Sequence, residues 1–288
     1  MKILNEEYAM DFILNPSRRN VLKTGLASLA ATAVTVGDAH TAPKPKAPGE
    51  TKVVVMMGDY CHNPIYQETN VRGIFSSHKD WRLYFPRASR FFTPELLSDA
   101  DLLITARYSG RDPVRWTGEE VDDTLSAGEP LWTDENARLV IDNVMNRGMG
   151  FIAAHCTIFA GKTEIEDLLD IEPVLHQEIQ PIIIRELKQD HPVTKDIEPF
   201  FINLDEQFDV IIKNPSKTTV LFRSLAVHDK RDAVGGWCLE QGKGRVVGLL
   251  PGDTRWPYEV PEYRTIFWRA AHWAMRRDIP PLSRGLNR

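Results

Sequence analysis

The sequence predicts an α/β protein built on a doubly wound, mostly parallel sheet with helices on both faces. Two observations carry that expectation. Lys52–Met57, Asp101–Thr105 and the run Gly148–Ala154 are short apolar segments of the kind that strands buried on both faces of a parallel sheet require. Each runs into polar or reactive side chains: Gly58-Asp59-Tyr60-Cys61-His62, Ala106-Arg107-Tyr108 and His155-Cys156-Thr157. In open α/β sheets, ligands sit outside the carboxyl ends of the strands, so these three ends mark one candidate site.

The elements follow in order. Residues 1–42 hold Ser17-Arg18-Arg19-Asn20-Val21-Leu22-Lys23 ahead of a weakly hydrophobic stretch, Thr24–Val36, which resembles a twin-arginine export signal. That stretch is too short and too poor in large apolar residues for a stable membrane span of about 20 residues. Small residues for cleavage occur at Gly37-Asp38-Ala39 and His40-Thr41-Ala42. The signal implies the twin-arginine export machinery as a partner and the periplasm as destination. Since such substrates fold before export, a cofactor loaded in the cytoplasm is permitted. The proline-rich segment 43–51 reads as a linker, 52–278 as the folded domain and 279–288 as a tail.

Within the domain, Arg72–Lys79 is expected to be helical and Thr93-Pro94-Glu95 to start a helix. Thr133 is placed to cap a helix with Ala137, Val140, Ile141, Val144 and Met145 at helical spacing, which Gly148 ends. Thr163 is expected to cap a short helix to Leu169, with Glu164 and Glu166 in its first turn. Gln180–Leu187 and Lys217–Leu225 read as strands, with Asp190-His191-Pro192 and 203–208 as connections. Trp237–Glu240 and Arg245–Leu250 form a hairpin about Gly242-Lys243-Gly244. Glu262–Arg276 is a final amphipathic helix, turning Ile266, Phe267, Ala270, Ala271 and Trp273 to the sheet.

Composition excludes several classes. A net charge of -5 and a pI of about 5.9 leave no basic face for nucleic acid. Cys61, Cys156 and Cys238 are too few and too scattered for a disulfide framework and form no CxxC pair, which leaves room for at most one bridge in an oxidising compartment.

Three separated segments share one pattern: Gly150–Thr157; Asp190-His191-Pro192 through Asp205-Glu206-Gln207-Phe208; and Gly242-Lys243-Gly244-Arg245 through Pro251-Gly252-Asp253 with the Trp-containing last helix. Together they resemble the ThuA-like, or trehalose-utilisation, family over most of 52–276. The resemblance implies a flavodoxin-like fold similar to class I glutamine amidotransferases, and an association with sugar metabolism. Two positions depart from it. Many relatives carry His-Ser where this chain has His155-Cys156, and Pro-Gly-His where it has Pro251-Gly252-Asp253.

Two chemistries are open to these residues. In one, His62, His155 and Glu206 hold a divalent metal ion that polarises a sugar carbonyl, while a second carboxylate or imidazole moves the proton, with His155, Glu206 and Asp253 as the catalytic candidates. Asp205 and Glu206 are adjacent, so only one of them faces the site in an extended segment. In the other, Cys156 is a nucleophile with a nearby histidine as base; the glycine-flanked nucleophile turn and a late His-x-Glu pair are both missing. Tyr60, Tyr108, Trp237 and Trp256 offer aromatic faces for sugar C–H surfaces, and Arg107 and Arg255 offer donors for hydroxyl or carboxylate groups. The expected function is an exported carbohydrate enzyme acting by isomerisation, hydration or elimination next to a carbonyl. The alternatives are a non-catalytic sugar-binding domain and a Cys-dependent amidotransferase-like hydrolase.

Overall fold

A computed structural model describes residues 45–59, 61–86, 88–108 and 130–279. The expected export signal, Tyr60 and residues 280–288 of the expected tail lie outside the described residues. The elements run β1 (Thr51–Met57), α1 (Pro64–Phe75), β2 (Trp81–Tyr84), α2 (Pro94–Leu97), β3 (Leu102–Ala106), α3 (Asp134–Asp142), β4 (Gly150–Ala154), α4 (Thr163–Leu169), β5 (Ile171–His176), β6 (Gln180–Arg185), β7 (Phe200–Asp205), β8 (Phe208–Ile212), β9 (Thr219–Ala226), β10 (Asp232–Gln241), β11 (Gly244–Leu249), α5 (Trp256–Glu259) and α6 (Pro261–Ala274).

The main sheet has the order β2-β1-β3-β4-β11-β10-β9-β6-β7. Strands β2, β1, β3, β4 and β11 are mutually parallel, and their order reproduces the flavodoxin-like 2-1-3-4-5 arrangement with β11 in fifth place. From β11 onward the pairing is antiparallel. A separate ribbon pairs β5 with β8.

Alternation along β1 divides the core. Val53, Val55 and Met57 enter the apolar layer that α1 and α6 cover, while Val54 and Met56 enter the opposite layer with residues of α2, α3 and α4. Both faces are covered, which is why these strands read as unbroken apolar runs.

Local signals explain most boundaries. The Thr133 hydroxyl accepts the Asn136 N–H (3.1 Å), and Gly148 takes φ 90° after α3 and the π-turn that follows it. Other expectations shift. The helix expected over Arg72–Lys79 is α1, because Asn63 caps it through the Ile65 N–H (2.9 Å) and Pro64 opens its first turn. Lys162 rather than Thr163 holds the cap position of α4, without a side-chain bond. The stretch 203–208, expected as a connection, instead forms the end of β7, the turn Glu206-Gln207 and the start of β8. In α6, Ile266, Phe267, Ala270 and Ala271 are fully buried, whereas Trp273 is half-buried against the same layer. Among the described residues, no helix is long and apolar enough to cross a membrane.

Candidate active site

The parallel strands all point their carboxyl ends to one edge, so β1, β4 and β11 deliver His62, His155 and Asp253 there, and the β7–β8 turn adds Glu206. The turn after β1 is tight. Gly58 has φ +75°, and a Cβ on it would lie 2.5 Å from Pro64. This turn folds the next residues around Asp59, whose fully buried Oδ1 accepts the Cys61 N–H (2.9 Å), the His62 N–H (3.0 Å) and the His62 ring at Nδ1 (2.7 Å). The carboxylate partner places a proton on Nδ1 and turns Nε2 toward Asp253 Oδ1, 3.6 Å away.

His155 is held differently. It leaves β4 with φ 44°, a left-handed conformation that β-strands do not continue, and opens a 3-10 turn, His155–Phe159. Its Nδ1 lies 3.1 Å from the Leu250 carbonyl, an acceptor only, so the proton sits on Nδ1. Nε2 is buried and has no hydrogen-bond partner. It faces Asp253 Oδ1 at 3.7 Å and Glu206 Oε2 at 3.8 Å, and the two imidazole rings meet edge to face at 5.0 Å.

The electrostatics separate the two imidazoles. Burial, reinforced by the neighbouring His62, pushes His155 well below the ordinary histidine value and keeps it neutral. Burial also pulls His62 down, but the bond and charge of Asp59, with Asp253 and Glu206, outweigh it and raise its pKa. Burial raises both Glu206 and Asp253; the Asp253 charge adds to the effect on Glu206, and His62 opposes the effect on Asp253.

The pair at the end of β7 divides its work. Asp205 points inward, fully buried, and accepts the backbone N–H groups of Gly252 (2.8 Å) and Thr254 (3.0 Å), which clamps the loop carrying Asp253. Tyr66 and Gln67 of α1 brace the same loop by donating to the Asp253 and Gly252 carbonyls. Glu206 points into the site, and its second oxygen lies 3.7 Å from His176 Nδ1 at the end of β5.

Other expected residues fall elsewhere. Trp237 is not a sugar-stacking surface. It is completely buried, its indole donates to the Leu169 carbonyl (2.9 Å), and its ring fills the space left by Gly248, where a Cβ would meet it at 2.3 Å. Arg255 lies over the Trp256 ring (5.0 Å) and beside Glu259 (3.4 Å), and Trp256 packs half-buried against the core. Tyr108 stands at the rim, its ring 6.2 Å from that of His62 and its hydroxyl 3.8 Å from Cys61 Sγ. Arg107 is fully buried, with a guanidinium nitrogen 3.3 Å from Ser89 Oγ. His191 lies in a turn, bonded at Nδ1 by the Val193 N–H and 3.5 Å from Cys238 Sγ. A separate groove of about 570 Å3, lined by residues such as Phe92, Thr133 and Leu139, contains none of the candidate residues.

Cys156 is buried, with Sγ 3.6 Å from both Asp59 Oδ2 and His62 Nδ1. Burial and the Asp59 charge push its pKa far up, which favours the thiol over the thiolate an amidotransferase-like reaction needs. The arrangement suits a cation instead. His62, His155, Glu206 and Asp253 each offer a ligand atom, all within 4.8 Å of one another. Their closest contacts, 3.6 to 3.8 Å, approach the ~3.4 Å edge of a tetrahedron with metal bonds of about 2.1 Å.

The ThuA family, described as trehalose utilisation, matches residues 52–274. The fold is similar to that of a ThuA-like protein from Parabacteroides merdae ATCC 43184 (TM-score 0.63, 13% identity, 82% of this chain and 94% of that one). It is also similar to a ThuA-like protein from Bacteroides uniformis ATCC 8492 (TM-score 0.59, 14% identity, 81% and 94%). A β-galactosidase from Rahnella sp. R3 shares the fold over 80% of this chain and 32% of its own (TM-score 0.50, 11% identity). No curated protein matches the sequence. At these identities the structural likeness is one of fold.

Proposed function

The chain belongs to the ThuA family, described by trehalose utilisation, and from that premise we propose that it is an exported, divalent-metal-dependent enzyme of carbohydrate metabolism. Its substrate in this reading is a sugar or keto-sugar derivative, transformed next to a carbonyl by isomerisation, hydration or elimination. One observation carries the metal: His155 Nε2 is a buried lone pair without a protein partner, aimed at two carboxylates beside a second imidazole. A buried polar atom left unpaired costs about 1–3 kcal/mol, so the position makes physical sense as a ligand.

The roles follow from the contacts. Asp253 faces both imidazoles, at 3.6 and 3.7 Å, and is the better third ligand with His62 and His155. Glu206, bridging His155 and the solvent-facing His176, is the better proton carrier, with its pKa raised by burial and by the Asp253 charge. Of the two roles the sequence suggested for Glu206, this reading keeps the catalytic one, and it moves Asp253 from catalysis to the metal. A bound divalent ion would stabilise negative charge developing on a sugar carbonyl oxygen. Asp59 and the Leu250 carbonyl hold the two rings at fixed tautomers, and Asp205 holds the Asp253 loop. Tyr108 at the rim is positioned to contact the sugar.

Metal-free protein incubated with 3-keto-sugars, with and without manganese(II) or zinc(II), tests the reading by mass spectrometry and NMR. Turnover that needs the ion and is lost in His155→Ala is expected. Absence of both turnover and binding for every sugar and ion would overturn it.

A further inference from the structure

We propose that the site has a second, mutually exclusive cation position, in which His62, His155 and Cys156 bind a thiophilic divalent ion such as cadmium(II). The inference rests on the metal reading above only for the two shared imidazoles. These three residues each offer a ligand atom within 4.8 Å of the others. The imidazoles thus have carboxylates on their solvent side, where Glu206 and Asp253 keep 20% and 18% of their side chains exposed, and a thiol on their buried side, 2% exposed.

A second observation makes this more than a cysteine near a histidine. His155 Nε2 is fully buried and unpartnered, and its single lone pair serves either position. An ion on the thiol side therefore removes a ligand from the carboxylate side, and the two ions exclude each other.

Ligand softness separates them. Carboxylates and imidazole suit manganese(II) or magnesium(II), whereas sulfur selects thiophilic ions. The buried thiol gives up its proton only to an ion whose bond to sulfur is strong. In that step the S–H bond breaks, the sulfur electron pair forms the bond to the cation, and the proton passes to Asp59 Oδ2, 3.6 Å from Sγ; His62, whose Nδ1 lies 3.6 Å from Sγ, moves its own proton from Nδ1 to Nε2 so that Nδ1 can bind the ion. The consequence is competitive poisoning of the catalytic ion by soft metals.

The test uses metal-free full-length protein carrying Cys61→Ser, which removes the exposed thiol. Manganese(II) is bound first and followed by electron paramagnetic resonance while cadmium(II) is added. Cadmium should release the manganese and produce a thiolate-to-cadmium charge-transfer band. A further Cys156→Ser change should abolish the band and raise the cadmium needed for release by at least an order of magnitude, leaving manganese affinity nearly unchanged. Cadmium NMR on the protein with Cys156 intact should report sulfur ligation, and it decides the matter if Cys156→Ser fails to fold. Manganese release without a thiolate band, or a sulfur-free cadmium spectrum, overturns the inference and leaves the carboxylate site standing. A thiolate band in a protein that binds no manganese supports the sulfur position and sinks the carboxylate one. Failure to bind either ion sinks both.

Discussion

Replacing Asp59 with Asn should weaken metal binding and stability together. Asp59 Oδ1 takes three donors, while Oδ2 receives the Tyr108 N–H at 3.3 Å and lies 3.6 Å from Cys156 Sγ. An amide has one carbonyl oxygen. Set at the Oδ1 position it keeps the three contacts but loses their charge, and its NH2 then confronts the Tyr108 N–H. Weakening charge-assisted bonds costs about 1 kcal/mol and leaving the Tyr108 donor unmet about 1–3, for a total of roughly 2–4 kcal/mol. For a domain of this size that lowers Tm by roughly 5–15 °C. Loss of the carboxylate partner behind a metal-binding histidine weakens affinity by about 10–100-fold. Thermal unfolding and manganese(II) titration measure the two quantities in parallel. A variant that loses the expected stability yet binds the ion as tightly as the parent would refute the claim that Asp59 orients His62.

His155→Ala should abolish activity and, because it empties a fully buried site against Phe208 and breaks the Leu250 bond, cost about 1–3 kcal/mol in thermal unfolding. Cys156→Ser should retain most activity; a well-folded but dead serine variant would restore the nucleophile reading. Metal affinity should fall as pH drops below neutral, since the carboxylate-raised His62 must lose its proton to bind; an affinity that does not change across that range in a binding titration contradicts the assignment. His272 has its pKa lowered to about 4 by burial and by the neighbouring His78, so the unfolded chain binds the extra proton and stability is lost as pH falls from about 6.5 to 4. His272→Gln should flatten Tm across that window, and an unchanged slope would remove His272 as its source. Arg18→Lys with Arg19→Lys should strand the precursor in the cytoplasm, which cell fractionation reads directly.

The parallel half of the fold was legible because its strands are buried on both faces: Lys52–Met57 and the run to Ala154 carry no polar interruption. The antiparallel extension was harder to read. Phe200–Asp205 and Phe208–Ile212 each expose some side chains, and Phe-Phe-Ile-Asn-Leu-Asp shows no clean alternation, so two strands passed for one connection. The first helix starts ahead of the expected Arg72 because Asn63 and Pro64 supply its cap and first-turn proline. In the site, His62, His155, Glu206 and Asp253 were visible as reactive residues at segment ends. The supporting residues were not. Asp59 was in view beside His62, but its role depends on three-residue geometry inside one turn, and His176 reaches Glu206 only through the β5–β8 pairing. Trp237 misled because its strand position suggested a rim, whereas Gly248 on the facing strand opens an interior slot for it.

The parallel pairing of β4 with β11 joins residues far apart in the chain: the His155 ring and the Leu250 carbonyl that orients it are separated by 95 positions. The loop that this pairing closes holds β5 to β10, and with them the turn that carries Glu206. Closing a loop of that length carries an entropic cost that local helical contacts do not. The binding geometry therefore depends on a long-range pairing, whereas the helices are built from local contacts. Under the proposed export of the folded chain, an ion taken up before translocation would find its ligands in place only once this pairing has formed.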